Sequence, residues 1–193
     1  MQAFSHFGQT WAVVRDYLRE HTAADHDRTE KAFDQLDISQ GADFITFLRA
    51  HYRAITNLAA WDPAGQDLYE RALGAIEHDL EQLKAKVPRI TADASDGKEL
   101  PSLAVRYVFC GSRLGAAVLN QRLQRSDDPR LRDGSRYLSE GVALTAWKSV
   151  IDELKNEPKN SMNLTAFEFG ARQAFGAFRD SLAIEMESSH GRQ

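Results

Sequence analysis

Apolar residues return along this chain in steps of three and four, the spacing that lays side chains along one face of a helix. Phe44, Phe47, Leu48, His51, Ile55 and Leu58 form one such stripe, with a histidine inside it, and Leu73, Ile76, Leu80, Leu83 and Val87 form a second. A third runs through Leu164, Phe167, Ala171, Ala174, Phe175, Phe178 and Leu182. No strand-like alternation competes with them, so the pattern predicts an all-α fold. The helix breakers agree. Only 12 Gly and 5 Pro occur in 193 residues, and the prolines (Pro63, Pro88, Pro101, Pro129, Pro158) sit beside polar or charged clusters with helical patterns between them.

The periodicity predicts six main helices, over 10–36, 42–60, 64–86, 102–125, 140–156 and 164–186. A surface linker is expected over 87–100, around Asp93-Ala-Ser-Asp-Gly97, and a short helix within 128–138 with Pro129 in its first turn. A chain of this size buries roughly 70% of the surface it exposes unfolded and needs no staple. One domain over 1–193 is therefore expected, with 1–9 and 188–193 as frayed tails.

Charge limits the partners. The net charge is −4, so no whole-chain field favours phosphate backbones, and nucleic acid is not expected. Arginine outnumbers lysine 17 to 7, which suits ion pairing or anion recognition. The single Cys110 cannot form an internal disulfide. No uninterrupted apolar run approaches the roughly 20 residues of a membrane span, and Gln2, Ser5, His6, Gln9 and Thr10 break up the uncharged opening stretch. The expected address is cytoplasmic, without a membrane partner.

The first helix is the informative one, because its inward stripe is interrupted. Trp11, Val14 and Leu18 open the stripe and Phe33 and Leu36 close it, but Thr22, His26 and Thr29 lie between. Polar groups on an inward face need partners. His26 is either a core histidine satisfied by a carbonyl or a metal ligand. Glu30, one turn later, can accept from the second ring nitrogen, which fixes the tautomer and raises the basicity of a ligating imidazole. Arg19 lies seven residues earlier, ~10.5 Å along the axis. An imidazole and a cation spaced along one stripe suit a flat anionic cofactor; ordinary solvated helix charge is the other account of Arg19 and Glu30. A second irregularity is Tyr107-Val-Phe-Cys-Gly-Ser-Arg-Leu-Gly115, where Gly111 and Gly115 share a helix face. Each weakens the helix by about 1 kcal/mol relative to alanine. The pair admits either another helix or a planar ligand lying against a bent one.

Taken together these segments resemble the haem oxygenases in their bacterial form. Leu18-Arg-Glu-His-Thr-Ala-Ala-Asp-His26-Asp-Arg-Thr-Glu30 resembles the proximal helix of that family, and Gly111-Ser-Arg-Leu-Gly115 its distal glycine motif. Ala171-Arg-Gln-Ala-Phe175 resembles the last-helix segment that sets an aromatic against haem, and Trp147-Lys148 the aromatic-basic pair before it. The resemblance implies a single-domain, multi-helix haem-oxygenase-like fold with haem held between a proximal and a distal helix. It implies His26 as axial ligand, with Glu30 as its partner. Arg19, Tyr107 and Lys148 would hold the propionates, Gly111, Ser112 and Gly115 would form the distal wall, and Phe175 would pack on the macrocycle. Ser112 stands where animal members carry an aspartate that organises distal water, so a water network would draw on backbone carbonyls and Arg113. Cys110, where many bacterial relatives are acidic, is either an inert buried thiol or a thiolate ligand.

The implied activity is oxidative cleavage of haem to biliverdin, carbon monoxide and ferrous iron, with haem as cofactor and substrate, dioxygen as oxidant and electrons from outside. No flavin or iron-sulfur motif occurs here. Arg113, Arg122, Arg125, Arg130, Arg132 and Arg136 make either a docking surface for an acidic ferredoxin, flavodoxin or reductase, or a solvated face interleaved with Asp127, Asp128 and Asp133. A bilin acceptor would stand downstream. The alternative on the same scaffold is a haem carrier or sensor without turnover. A di-iron site would need two Glu-x-x-His pairs, and only Glu187-Ser-Ser-His190 fits. A thiamin-degrading enzyme would need a base beside Cys110, and none is visible.

Overall fold

The computed structural model describes residues 14–90, 100–133, 135–140, 142–157 and 160–190. Trp11, the loop around Gly97, Pro158 and most of both expected tails lie outside them. In chain order the helices are α1 (Val14–His21), α2 (Ala23–Phe33), α3 (Gly41–Trp61), α4 (Gln66–Gln82), α5 (Ser102–Ser112), α6 (Ala116–Leu123), α7 (Pro129–Arg132), α8 (Arg136–Ser139), α9 (Val142–Asn156) and α10 (Ser161–His190). One-turn 3-10 segments, Pro63–Gly65 and Arg113–Gly115, precede α4 and α6. No strand occurs among the described residues, and the architecture is all-α as the periodicity predicts.

The core forms around α10. It runs against α3, α5, α2 and α1, while α4 backs α3 and α9 backs α5. All seven residues of its predicted stripe are buried, as are Phe44, Phe47, Leu48, His51, Ile55 and Leu58 of α3. Gly170 marks a close crossing: a Cβ there would stand 3.1 Å from Pro101 Cδ and 3.3 Å from Ala104 Cβ, so α5 starts almost on the backbone of α10. The stretch Ser102–Leu123 has a mean hydropathy of 1.2, long and apolar enough by composition alone to cross a membrane. Here Leu103, Val105, Val108 and Phe109 are part of the core.

Two helices predicted as continuous are interrupted, each beside a hydroxyl that bonds back to its own helix. The segment over 10–36 divides at Thr22, whose Oγ1 donates to the Leu18 carbonyl at 2.7 Å. The segment over 102–125 divides at the 3-10 turn, beside Ser112, whose Oγ donates to the Phe109 carbonyl at 2.7 Å. Such back-bonds compete with the helical ladder and bend it. The 128–138 stretch becomes two single turns, with the Asp128 side chain capping Arg130 and the Ser135 side chain capping Leu138.

Buried charges tie the layers together. Asp79 of α4 accepts from the Ser135 hydroxyl and from the backbone N–H groups of Arg136 (2.9 Å) and Tyr137 (3.0 Å), which caps α8 from another helix. Asp62 accepts from the Tyr69 hydroxyl at 2.8 Å and meets Arg106 Nε at 3.0 Å. Glu185 of α10 is clasped by Arg49 and Arg53 of α3.

Helix α4 ends on Lys84, which has φ 56°. The Lys84 N–H donates to the Glu81 carbonyl at 2.9 Å and the Ala85 N–H to the Leu80 carbonyl at 2.8 Å, the paired bonds of a Schellman ending. A left-handed residue with a Cβ costs roughly 1–2 kcal/mol. Lys84→Gly should therefore raise the stability by about 1 kcal/mol and the melting temperature by about 2–4 °C, measured by thermal and urea unfolding.

Candidate functional site

Helices α2 and α5 both rest on α10 but stand apart from each other, and an open cleft of ≈ 340 Å³ lies between them. His26, Thr29, Glu30 and Phe33 of α2 form one wall. Val108, Gly111, Ser112 and Gly115, then Val118, Leu119 and Arg122 of α6, form another. Phe47 and His51 of α3, with Phe175 and Phe178 of α10, close the inner end. Six residues implied by the resemblance thus share one cleft: His26, Glu30, Gly111, Ser112, Gly115 and Phe175.

His26 is not the buried histidine that the interrupted stripe suggests. Its side chain is 57% exposed, at the mouth of the cleft, with its ring edge-on to Phe175 at 6.0 Å. Its Nδ1 stands 3.6 Å from Glu30 Oε2 and 3.8 Å from Asp27 Oδ1, beyond hydrogen-bond reach of both. The expected His26–Glu30 bond is therefore not made, because both groups face water. These three residues offer donor atoms within 4.8 Å of one another, all exposed.

The two threonines of the polar interval are satisfied from within the protein. Thr22 and Thr29 donate to carbonyls one turn back, at 2.7 and 2.8 Å. The buried carboxylate of Asp25 meets Arg28 at 2.7 Å, Arg179 at 3.5 Å and Arg172 at 3.7 Å. Arg179 also donates to Thr29 Oγ1 at 3.0 Å and the Asp25 carbonyl at 3.3 Å. This clasp fixes α2 on α10 and so places His26 relative to Phe175. The local sequence does not reveal this clasp, since Arg172 and Arg179 are about 150 residues away from α2.

The glycines differ. A Cβ at Gly111 would meet the Trp147 indole at 3.5 Å, an ordinary contact, while at Gly115 nothing lies within 4 Å. Gly111 is thus covered by α9, and Gly115 faces open space.

Three implied residues do not line the cleft. Arg19 and Lys148 are exposed on α1 and α9. Tyr107, one turn before Gly111, packs on Trp147 with ring centroids 5.4 Å apart. Burial pushes its hydroxyl above its usual pKa, against the pull of the nearby Arg15 and Arg19 cations. Tyr107 thus lies outside the cleft lining, against Trp147 and within the field of the Arg19 cation. Arg122, which the sequence marked only as part of a basic stretch, is a cation of the cleft itself.

Arg113 does not serve the cleft. Its guanidinium lies 3.9 Å from the centre of the Tyr137 ring and donates to the Tyr137 carbonyl. The arginine stretch is therefore less uniform than expected. Arg130 is bound to Asp128 at 2.6 Å and Arg136 approaches Glu140 at 4.0 Å. Cys110 is buried, lines a separate small hole and has its pKa pushed up by burial to about 12, so it is the inert thiol. Of the other histidines, His21 stacks on Tyr17 and bonds the Tyr17 carbonyl through Nδ1 at 2.9 Å. His78 is exposed, and the side chain of His190 lies outside the described residues.

His51 is the polar group at the inner end. Burial lowers its pKa to about 3; the bond from Nδ1 to the Phe47 carbonyl (2.9 Å) resists this, and the Arg113 charge adds to it. The folded state then holds this ring neutral while an unfolded chain protonates it near pH 6.5. Stability should fall as pH drops from 7.5 to 5, by about 2 kcal/mol from this residue alone. Urea unfolding across that range should show a shallower slope in His51→Phe than in wild type. Comparison of the chain with models of known protein families and with curated proteins finds no match.

Proposed function

We propose that this chain is a haem oxygenase of the bacterial type, with a haem-oxygenase-like fold that takes haem into the cleft between α2 and the broken α5–α6 stretch. One observation carries the reading. Six residues implied by three separate sequence motifs line the same cleft. The donor set suits the group: an imidazole at one wall, glycines in the other, and aromatic side chains between. When bound, haem supplies both the iron that activates dioxygen and the carbon skeleton that is cut at a meso carbon to give biliverdin, carbon monoxide and ferrous iron.

The chain's own residues orient and exclude. His26 offers a ring nitrogen as ligand, and Glu30, at 3.6 Å, is within a small adjustment of accepting from the other side of the ring. Gly115 keeps the facing wall free of side-chain bulk, and Phe175 packs beside His26. Arg19 and Tyr107 would hold the carboxylates, with Lys148 next to Trp147; Arg122 adds a cation from α6. Exposed Arg122, Arg125 and Arg132 offer an acidic electron donor a place to dock near the cleft. The product bilin would leave for an acceptor in the same cytoplasmic compartment.

One observation favours the carrier or sensor reading. The Ser112 hydroxyl donates its proton to the Phe109 carbonyl, so it has no hydrogen left to give to water or a ligand above the distal wall.

Titration with hemin should give a saturable Soret band in wild type. Reductase, donor protein and dioxygen should then replace the band with a bilin spectrum. His26→Ala should weaken hemin binding at least tenfold, a loss of about 1.4 kcal/mol, and abolish turnover. Unchanged spectra in that variant would transfer the ligand role to His51 or His21. A Soret band that persists under turnover conditions would select the carrier reading.

A further inference from the structure

The inner end of the cleft holds a polar atom with no hydrogen-bond partner among the described residues. His51 is only 9% exposed, and its ring is boxed by Phe33, Phe47, Tyr137 and Phe178 at centroid distances of 4.8, 4.0, 5.6 and 5.3 Å. Nδ1 lies 2.9 Å from the Phe47 carbonyl, which can only accept, so Nδ1 carries the hydrogen and Nε2 a lone pair. With Nδ1 turned to its own helix, Nε2 is the polar atom that His51 offers the cleft it lines. No donor among the described residues meets it. Of the donors nearby, Ser112 Oγ donates to Phe109 and the Arg113 guanidinium to Tyr137, while the buried Tyr137 hydroxyl makes no hydrogen bond to Nε2 or to any other described residue.

An unpaired acceptor in an apolar surround gains from a ligand that brings its own donor. Phe47, Phe175 and Phe178 supply flat apolar surface around it. We propose that the inner end of the cleft is a subsite for a neutral aromatic O–H or N–H compound, whose donor is accepted by His51 Nε2 and whose ring packs among these phenylalanines. A carboxylate cannot donate, so the same atom turns an anionic edge outward, toward Arg122 and solvent. The subsite does not depend on haem being the main occupant of the cleft.

Phenol and anisole test this, because they share a ring and an oxygen but only phenol donates. Their dissociation constants are measured by NMR titration on the full chain as wild type, His51→Leu and His51→Gln. The anisole-to-phenol ratio of dissociation constants should be about five- to tenfold larger in wild type than in His51→Leu, the worth of one hydrogen bond. The Gln variant, whose amide oxygen can accept, should recover part of the difference. Equal ratios in wild type and His51→Leu overturn the subsite. If the Leu variant does not fold, the ¹⁵N resonance of His51 Nε2 in wild type decides. Saturating phenol should move it and anisole should not; a resonance unmoved by phenol overturns the subsite. Hemin titration of the same samples is read separately. Phenol discrimination in a protein that binds no hemin sinks the haem oxygenase reading and leaves the subsite standing.

Discussion

The burial of α10 is the constraint on which the rest depends. A helix of 30 residues is roughly 45 Å long, and its stripe from Leu164 to Leu182 is apolar throughout. Each large side chain it buries contributes roughly 1.5–3 kcal/mol, so α1, α2, α3 and α5 are all drawn onto one rod. Helices cannot all touch one another around a rod. α2 and α5 meet α10 along different lines, and the space left between them becomes the cleft. The cavity is thus a geometric remainder of packing four partners on one helix, and its inner end inherits the phenylalanines of α3 and α10.

Much of this was legible in the sequence. The three-and-four spacing located the α3 and α10 stripes residue by residue, because a buried helix face repeats locally. The two breaks were not legible. Thr22 stood out as a polar residue on an inward stripe and Ser112 as a departure within the glycine motif, but neither pattern marks where a helix divides. The ends of α4 were similarly hidden, since Lys84 carries no glycine signature for the left-handed turn it makes.

The site divides in the same way. Residues joined by short spacing came together: His26 with Glu30, and Gly111 with Gly115, in one cleft with Phe175. Relations spanning most of the chain did not show. Asp25 carried no signal of its own in the sequence, yet Arg172 and Arg179 close over it from α10. Arg113 looked like a candidate for the cleft, and Tyr137 captured it instead. His51 was visible as a stripe member, but its locked tautomer is a property of a filled aromatic box and not of spacing.

The break at Thr22 has a dynamic consequence. α2 is only 11 residues long, is cut off from α1 by that break, and among its own residues buries only Asp25. A segment held by so few buried contacts opens locally at a free energy well below that of global unfolding. The wall that carries His26 therefore rests on little buried apolar surface, chiefly Phe33, and is held by the arginines around the Asp25 carboxylate. Its amide hydrogens would exchange long before those of α3 or α10, and a ligand gripping His26 would slow them.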